Sequence, residues 1–481
     1  MEQIISSIGS FLWGPPMIIA IMGCGILLTV KSKFFVFKYI RHIFKNTLGT
    51  MTDKSKAKSD KKGALSPFEA ICVAVGGAVG VGSIGGVATA IAVGGPGALF
   101  WILVWAFFGM TVKLAEVTLA CYYRSKDEKG NYYGGPSYYM EKGLGREKGI
   151  KAGLYLAWLF GMAFIIQAFS GNQVFTIAES LNTAFGVPMI PFACIYSIFI
   201  FYIIWKGVPR IASFASKCVP FMCLLYFFGG IVLIVVNYKA LPGVIYAVFH
   251  DAFTGSAAAG GFVGAGVMTV IKTGIARSIN SNEAGQGSSP MIHAAADTPH
   301  PVRQGLWGSF EVFVDTILVC TITAMAILST GVWKSGLTSA TLTIEAYKSV
   351  FGKGGLYFIG IITLLFGLTT TAGWFTYYCS LIAHGFRNHP KLRDKVTLIF
   401  KIIFPWPNIL VVAMIVLSGK GPNLYWSIID IVTVLPTFFN VIALIGLSGV
   451  FIKLLNDYKA RYLGVGKVDP KFKVFYEEEN K

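Results

Sequence analysis

Hydrophobic residues in this chain are gathered into long blocks, and short polar tracts separate one block from the next. A helix that crosses the lipid core of a bilayer needs about 20 consecutive apolar residues. The pattern predicts about eleven such helices, so the expected fold class is an all-α integral membrane protein. The predicted spans lie near residues 11–30, 67–93, 98–123, 152–184, 189–206, 215–236, 260–282, 305–330, 355–384, 397–418 and 425–455.

The composition of the chain supports a membrane location. Of its 481 residues, 54% are hydrophobic and 13% are charged, whereas soluble domains carry roughly 25% charged residues. The first apolar block has no basic residues before it and no small-residue cleavage site after it, so we expect a retained span rather than a signal peptide. The eight cysteines are scattered without a CxxC or Cys/His cluster, which predicts neither a disulfide framework nor a metal site.

The formal net charge of +18 is concentrated in alternate loops between the apolar blocks. Basic residues accumulate at 31–62, 124–151, 206–217, 387–395 and in the C-terminal tail, whereas the other loops hold few. Because basic loops stay in the cytoplasm, we expect the N-terminus outside the cell membrane and the C-terminus in the cytoplasm. The lipid bilayer accounts for this charge without a nucleic-acid partner, and no obligate protein partner is evident.

Ten spans remain when the first is set aside, and they divide into two groups of five. Each group begins with a glycine-rich segment, VGGAVGVGSIGG at 75–86 and GSAAAGGFVGAG at 255–266. Since five is odd, the groups must have opposite orientations, and inverted five-helix repeats with broken first helices are typical of transporters. The predicted units are 1–66 (extra N-terminal helix and basic linker), 67–236 (first repeat), 237–259 (outer connection), 260–455 (second repeat) and 456–481 (cytoplasmic tail).

The first glycine-rich segment holds six glycines within eleven residues. Each glycine costs an ordinary helix about 1 kcal/mol relative to alanine. Unwound backbone at membrane depth is tolerated only where it lines a cavity or is covered by protein, and its freed carbonyl and N–H groups can hold a cation and a carboxylate. Close helix packing through small residues is the alternative interpretation. The matching segment at 255–266 favours a binding site.

Three threonines, Thr369, Thr370 and Thr371, precede Gly373 and Trp374 in the third span of the second group. Hydroxyl oxygens can complete the oxygen shell of a hard cation. A single threonine in a membrane helix usually bonds to its own preceding turn. Three in succession face most directions around the helix, so at least one should face inward. Trp374 is either a packing residue or a wall of a small pocket.

Acidic residues are rare within the predicted spans and are expected to be structural or to act in gating. None lies beside the glycine-rich segments, which favours cation binding by neutral oxygens over a proton relay. Glu116 is expected to pair with Lys113, three residues before it on the same helix. The residues concerned are Glu116, Glu179, Glu311, Asp315 and Asp430.

The segment SNEAGQGSSPMIHAAADTPHPVRQG at 281–305 is polar and rich in small residues, and the predicted topology places it in the cytoplasm. Its histidine, acidic and arginine residues show no nucleophile–base spacing, and its prolines indicate a turn. We therefore expect a structured inner loop rather than an enzyme active site. Asn282 and Glu283 are candidates for an inner gate.

Four sequence blocks resemble the signature blocks of the alanine or glycine:cation symporter family. They are KLAEVTLACYYR at 113–124, GGPSYYMEKGLG at 134–145, the segment at 281–305 and TTTAGW at 369–374. The resemblance extends from about Phe68 to Trp374 and more loosely beyond. It implies a LeuT-type inverted-repeat fold, a co-transported sodium ion and a small neutral amino acid as substrate.

The resemblance also implies site residues, and some of them differ from the family pattern. The family usually reads GTGNIAG where this chain has Gly80–Gly86, so Val81 and Ser83 stand in place of a threonine and an asparagine. Phe175 stands where the family usually has a glutamine, and Thr371 replaces an apolar residue. A changed set of hydrogen-bonding groups can shift a pocket to another ligand.

The leading hypothesis is sodium-driven symport of a small neutral amino acid, such as alanine or glycine, into the cell. The alternative is the same fold carrying a different amino acid or an amine, with protons as the coupling ion. A channel is disfavoured by the paired breaks, and an enzyme by the lack of a catalytic constellation. The expected substrate residues are Gly80, Val81, Gly82, Ser83, Phe175, Gly260, Gly261, Phe262, Thr370 and Trp374. The expected sodium ligands come from Val79, Gly80, Gly82, Thr370 and Thr371.

Overall fold

The structure, a computed structural model, describes residues 8–9, 11–51, 63–170, 173–257, 262, 264–419 and 421–477. Within these ranges the chain is mainly helical and carries one small hairpin. Its first half comprises α1 (Pro15–Lys31), α2 (Phe35–Lys38), α3 (Ile40–Asn46), α4 (Leu48–Met51), α5 (Pro67–Ala78), α6 (Val87–Gly94), α7 (Gly97–Tyr122), β1 (Ser125–Lys126), β2 (Tyr132–Tyr133), α8 (Pro136–Tyr139), α9 (Ala152–Ile166), α10 (Val174–Phe185), α11 (Met189–Ile204) and α12 (Val208–Val236). Its second half comprises α13 (Leu241–Thr254), α14 (Val267–Asn282), α15 (Pro290–His293), α16 (Pro301–Val312), α17 (Thr321–Thr330), α18 (Ser339–Phe351), α19 (Lys353–Gly385), α20 (Pro390–Ile403), α21 (Pro407–Ser418) and α22 (Gly421–Leu463).

Several stretches of the described chain wind differently from an α-helix. Wider π-helical turns lead into α6 at Gly82–Gly86, follow α8 at Met140–Glu147 and join α16 to α17 at Phe313–Cys320. Such turns are rare, and they occur frequently at functional sites. Tighter 3₁₀ turns lie at Gln167–Phe169, Tyr238–Ala240 and Val332–Ser335.

Seven helices among the described residues are long and apolar enough to cross a membrane, which confirms a helical membrane protein. They are Gly97–Tyr122, Val208–Val236, Pro301–Thr330, Lys353–Gly385, Pro390–Ser418, Tyr425–Leu463 and Ala152–Phe185, the last of which passes over residues 171–172, outside the described ranges. A further span, Pro67–Ala78 with Gly82–Gly94, is bent by 43° at a short break. The shorter apolar helices α1 and α11 coincide with two more predicted spans. The remaining predicted span contains α14, which has 16 residues and carries Lys272 and Arg277, so the count of eleven stays a prediction.

Helix α7 packs along both α14 and α16, and glycines bring these backbones close together. A Cβ atom added at Gly274 of α14 would lie 2.7 Å from Trp101 Cβ. One added at Gly308 of α16 would lie 2.8 Å from Val117 Cγ2. Helices in a membrane associate largely through such close contacts between small residues. The three helices therefore form a tightly packed unit.

The N-terminal end of α5 is fixed by local hydrogen bonds. Ser66 Oγ accepts a hydrogen bond from the Glu69 N–H at 3.1 Å, and Glu69 Oε2 accepts one from the Ser66 N–H at 2.9 Å. This reciprocal cap, with Pro67 in the first helical position, is a strong helix start. A parallel bridge between Leu65 and Ala296 ties the same end to the segment before α16. From this anchored end, α5 runs between α12 and α19.

Candidate functional site

The helix that begins with α5 is interrupted after Ala78, as the glycine-rich sequence predicted. Val79 leaves the helical conformation with φ −69° and ψ 82°, and the chain becomes π-helical from Gly82 onward. The bend between the two halves is 43°. All residues from Val79 to Ser83 are buried, so protein covers the unwound backbone, as membrane depth requires.

Side chains from two other helices bond to the backbone of this first break. Thr370 Oγ1, on α19, lies 2.8 Å from the Gly76 carbonyl oxygen and 2.8 Å from the Phe366 carbonyl oxygen of its own preceding turn. Trp374 Nε1, one turn further along α19, lies 3.4 Å from the Gly77 carbonyl oxygen. From the start of α10, Gln173 Oε1 accepts a hydrogen bond from the Val81 N–H at 3.1 Å. These side chains converge on the backbone between Gly76 and Val81.

Gly80 lies where these groups converge. A Cβ atom added at Gly80 would lie 2.5 Å from Thr370 Oγ1 and 3.1 Å from Gln173 Oε1. A Cβ atom at Gly76 would lie 2.9 Å from Val219 Cγ2, and one at Gly85 would lie 2.8 Å from Thr176 Cγ2. The same segment is therefore both broken and closely packed against its neighbours.

Gln173 is a residue of this site that the sequence analysis did not single out. It has a φ of +83°, which is unusual for a residue other than glycine and costs about 1–3 kcal/mol. Its N–H donates to the Tyr425 hydroxyl at 3.1 Å. A glutamine in an apolar span was the available signal, two residues before the Phe175 that the family pattern indicated.

The two aromatic residues predicted to close the pocket occupy different surroundings. Trp374 is buried and stacks on Phe164, with ring centroids 5.5 Å apart and planes at 16°. Phe175 is buried and lies against Tyr425, with centroids 4.9 Å apart. Trp374 thus bonds to the break directly, whereas Phe175 lies beside the tyrosine that holds Gln173.

The three consecutive threonines point in three directions, because successive residues of a helix are rotated by about 100°. Thr370 faces the break. The Thr371 hydroxyl lies 2.8 Å from the Tyr196 hydroxyl on α11, and Thr369 Oγ1 donates to the Phe366 carbonyl oxygen at 2.9 Å. Thr371 therefore faces α11, and the structure does not bring it together with Thr370 at the break.

The segment at 255–266, expected to be the second break, precedes a helix rather than interrupting one. Ser256 and Ala265 form an antiparallel bridge, and α14 then runs from 267 to 282 without interruption. Phe262 packs against Trp333, with ring centroids 5.4 Å apart, and lies apart from the first break. Gly260 and Gly261 lie outside the described residues. Gly255 and Gly264 have positive φ values, so these glycines form turns.

The second interruption instead follows α14, at residues 283–289. Glu283, Gly285 and Gly287 have φ values of +57°, +89° and +83°, which end the helix. α15 then begins at Pro290. This segment, expected to be a structured inner loop, is buried in the protein. Asn282 and Glu283, the gate candidates, are 0% and 1% exposed.

The two breaks meet where α14 ends. The Ser83 hydroxyl lies 2.8 Å from the Ser281 hydroxyl. A Cβ atom at Gly82 would lie 3.1 Å from the Asn280 carbonyl oxygen. Backbone from both interrupted helices therefore lines one small buried region.

Buried charged residues surround the second break. Lys113 Nζ lies 3.5 Å from Glu311 Oε1, and His293 Nε2 lies 3.0 Å from Glu311 Oε2. Glu116 Oε1 accepts hydrogen bonds from Asn440 at 2.5 Å and from the Gly285 N–H at 3.1 Å. Lys113 therefore forms its ion pair with Glu311 and not with Glu116, the partner expected from helical spacing.

Two further acidic residues join helices around the breaks. Both guanidinium Nη atoms of Arg277 on α14 bond to the Asp430 carboxylate of α22 at 2.9 Å. Glu179 of α10 accepts a hydrogen bond from Ser339 Oγ at 2.7 Å, at the start of α18. Asp430 thereby links α22 to α14, and Glu179 links α10 to α18.

A cavity of about 650 Å³ opens on the side of the protein that carries the β1–β2 hairpin. Lys129, Lys206 and Arg393 line it. Phe375 and Thr376, the residues that follow Trp374 on α19, line it as well. The cavity therefore reaches the part of α19 next to Trp374.

Comparisons with known proteins agree with this geometry. Residues 1–473 match the profile of the sodium:alanine symporter family. The chain is 36% identical over 480 residues to the probable sodium/glutamine symporter GlnT of Bacillus subtilis, covering 99% of this chain and 94% of GlnT. It is 34% identical over 467 residues to the sodium/alanine symporter AgcS of Methanococcus maripaludis, covering 95% of this chain and 98% of AgcS. A solved structure of a Na⁺-coupled sialic acid symporter has the same fold, with a TM-score of 0.50 at 12% identity over 91% of this chain and 98% of that one.

The position of the second break can be tested with a glycine substitution. Gly287 has a φ of +83°, and an added Cβ atom would meet the Pro136 ring and lie 3.2 Å from Asn440 Cγ. We expect Gly287→Ala to destabilise the protein by about 1–3 kcal/mol and to lower its thermal unfolding midpoint. Gly449→Ala is the control, because Gly449 lies in α22 with open space around it. An unchanged midpoint for Gly287→Ala would contradict the described conformation of residues 283–289.

Proposed function

The chain belongs to the sodium:alanine symporter family, and from this membership and the site we propose that it couples sodium entry to the uptake of a small neutral amino acid. It is a membrane transporter and not an enzyme, and its relatives are transporters too. The observation that carries the proposal is the meeting of Thr370, Gln173 and Trp374 at the buried break around Gly80.

We place one sodium ion beside the Thr370 hydroxyl. That oxygen already contacts the Gly76 carbonyl oxygen, and the unwound turn at Val79 and Gly80 supplies further backbone oxygens nearby. Hard cations bind such hydroxyl and carbonyl oxygens. Gly82 stays among the proposed sodium ligands. Thr371 is left out of them, because its hydroxyl lies 2.8 Å from the Tyr196 hydroxyl on α11.

We place the substrate carboxylate at the N–H groups near Gly82 and Ser83. The helical segment that starts at Gly82 presents its N-terminal end there, where partial positive charge favours an anion. The substrate amino group then faces backbone carbonyl groups at the end of α14, where Asn280 O comes close to Gly82. Trp374 and Gln173 bound the pocket, and Phe175 supports it through Tyr425.

The inverted repeat and the topology extend this proposal. Broken helices that meet at one buried point are typical of two repeats in opposite orientation. We propose five helices in each repeat, one extra helix at the N-terminus, an outer N-terminus and a cytoplasmic C-terminus. The cavity beside Lys129, Lys206 and Arg393 then opens to the cytoplasm and serves as the route of release.

The second candidate is transport of a larger neutral amino acid such as glutamine. The observation that favours it is the 36% identity to a probable sodium/glutamine symporter, which is similar to the identity with the sodium/alanine symporter. Coupling to protons in place of sodium is the remaining variant of the same fold.

Uptake by proteoliposomes tests the proposed function. An inward sodium gradient should drive accumulation of radiolabelled alanine, and a proton gradient of equal size without sodium should not. Competition by the other amino acids in both chiralities then identifies the substrate. Uptake that is indifferent to the sodium gradient would contradict sodium coupling, and stronger competition by glutamine than by alanine or glycine would favour the second candidate.

Thr370→Val tests the proposed sodium ligand. The change removes an oxygen at nearly constant volume, and a loss of about 1.4 kcal/mol weakens binding tenfold. We expect the sodium concentration for half-maximal uptake to rise by about tenfold. Thr363→Val is the matched control, since the buried Thr363 on the same helix donates to its own preceding turn, to Ile359 O at 2.7 Å. An unchanged sodium dependence in Thr370→Val would show that the cation binds elsewhere.

A pair of substitutions tests which residue sets specificity. Gln173→Leu removes the hydrogen bond to the Val81 N–H at the break, whereas Phe175→Leu changes a side chain that lies against Tyr425. A buried group that loses its hydrogen bond costs about 1–3 kcal/mol. Gln173→Leu should therefore change the order in which competing amino acids inhibit uptake. Phe175→Leu should largely preserve that ranking. The opposite result would assign specificity to Phe175.

A further inference from the structure

A second cavity, of about 420 Å³, lies between α5, α12 and the junction of α16 with the π-helical segment Phe313–Cys320. Each residue of the described chain that lines it is apolar or a cysteine, and none has a charge, a hydroxyl or an amide in its side chain. Its volume is within the range of about 300–1,000 Å³ that is usual for ligand sites. The cavity therefore suits an apolar ligand and offers no polar partner to an amino acid.

Two walls of this cavity are apolar faces of membrane helices. Residues three and four positions apart share one face of a helix. The face that α5 contributes consists of Phe68, Ile71, Cys72 and Val75. On α12, Val219 and Cys223 form the facing wall. At 1.5 Å per residue, the wall on α5 extends over roughly 10 Å, so the cavity is an elongated groove between the two helices.

The groove opens on the outer surface of α12. Leu224, which lines the groove, is exposed, and so are Phe221 and Phe228 beside it. α12 is apolar enough to cross the membrane, and these residues lie near the middle of its span Val208–Val236. An opening at that depth faces hydrocarbon rather than water. The material available to fill the groove is therefore the acyl chain of a lipid.

The other end of the groove lies near exposed basic residues. Leu48 of α4 and Phe68, the second residue of α5, border this end. Lys45 precedes Leu48 by three residues, and Lys217 precedes the groove-lining Val219 by two. Both lysines are exposed, and neither forms an ion pair with an acidic side chain of the described ranges. Such lysines at the end of a membrane helix attract anionic lipid headgroups.

The groove also reaches the first break. Val75 lines the groove, and the carbonyl oxygen of the next residue, Gly76, lies 2.8 Å from Thr370 Oγ1. A Cβ atom added at Gly76 would lie 2.9 Å from Val219 Cγ2, so α5 and α12 touch at this point. A ligand between the two helices therefore acts on the position of α5 directly before the break.

We propose that the groove binds an acyl chain of an anionic phospholipid, whose headgroup lies beside Lys45 and Lys217. The chain fills the space that the side chains of α5 and α12 leave between them, and it holds α5 in the described position. This inference goes beyond the proposed symport, because it assigns a lipid as a stabilising ligand of the protein. It is independent of which amino acid and which ion are carried.

Photolabelling of the whole purified protein tests the site. Phosphatidylglycerol with a diazirine on its acyl chain is added to phosphatidylcholine nanodiscs that hold the protein. Illumination should label residues 71–75 of α5, where Ile71, Cys72 and Val75 are at most 5% exposed and only a chain inside the groove reaches them. Unlabelled phosphatidylglycerol should compete better than phosphatidylcholine. Label at Phe221 and Phe228 without label on α5 would show only the lipids that surround the protein and would overturn the proposal.

A substitution inside the groove assigns the label to it. Cys223→Phe places a ring where the chain lies, and each displaced methylene group contributes roughly fourfold to binding. We expect labelling of residues 71–75 to fall by about tenfold. Cys194→Phe is the matched control, because Cys194 is also partly exposed but lies on α11, outside the groove. Equal labelling of residues 71–75 in Cys223→Phe and the wild type would overturn the site.

The combined change Lys45→Gln and Lys217→Gln tests the headgroup and keeps the proposal testable if Cys223→Phe does not fold. Both residues are exposed, so the fold should be retained. Residues 71–75 should still be labelled, but the advantage of phosphatidylglycerol over phosphatidylcholine should fall by about fivefold for each lysine. An unchanged advantage would overturn the assignment of an anionic lipid to this groove.

Discussion

The arrangement of the whole site follows from one constraint, that backbone groups in the membrane interior need partners. The helix that starts at α5 breaks at Val79, and other helices satisfy the backbone around the break. Thr370 bonds to the Gly76 carbonyl group, and Gln173 bonds to the Val81 N–H. Because these partners lie on α19 and at the start of α10, the break fixes the positions of three elements relative to one another.

Close packing and unwinding are two consequences of the same glycines. Side chains would collide with Val219 at Gly76 and with Thr176 at Gly85, so the segment approaches its neighbours more closely than an ordinary helix can. The absence of side chains also weakens the helix, and its backbone groups bond to side chains of other elements instead.

The second break shows a different solution to the same constraint. Glycines at positive φ end α14, and the amide of Asn440 bonds to the Gly285 carbonyl oxygen at 2.9 Å. Glu116 accepts from the Gly285 N–H. A loop rich in polar residues is therefore buried without leaving these groups unpaired. The end of α14, just before this loop, contacts the first break through Ser281 and Ser83. A displacement of one break therefore acts directly on the other.

The sequence was sufficient to predict a helical membrane protein and the first break, because apolar block length and six clustered glycines are local signals. It misplaced the second break, since the glycines at 255–266 and those at 285 and 287 have similar local composition. Only the tertiary structure shows that Gly255 and Gly264 adopt turn conformations between α13 and α14. The direction of each hydroxyl in Thr369–Thr371 depends on how α19 is rotated about its axis. The sequence alone does not determine that rotation to within one residue. Gln173 was missed because its contact with Val81 joins residues 92 positions apart.

The central claim is that the cation and the amino acid bind at one continuous site around Gly80, so their binding must be thermodynamically coupled. Isothermal titration of the purified protein with alanine, or with the amino acid selected by competition, at several sodium concentrations tests this claim most directly. We predict that sodium raises the affinity for the amino acid and that the amino acid raises the affinity for sodium by the same factor. An amino-acid affinity that is the same with and without sodium would contradict the account.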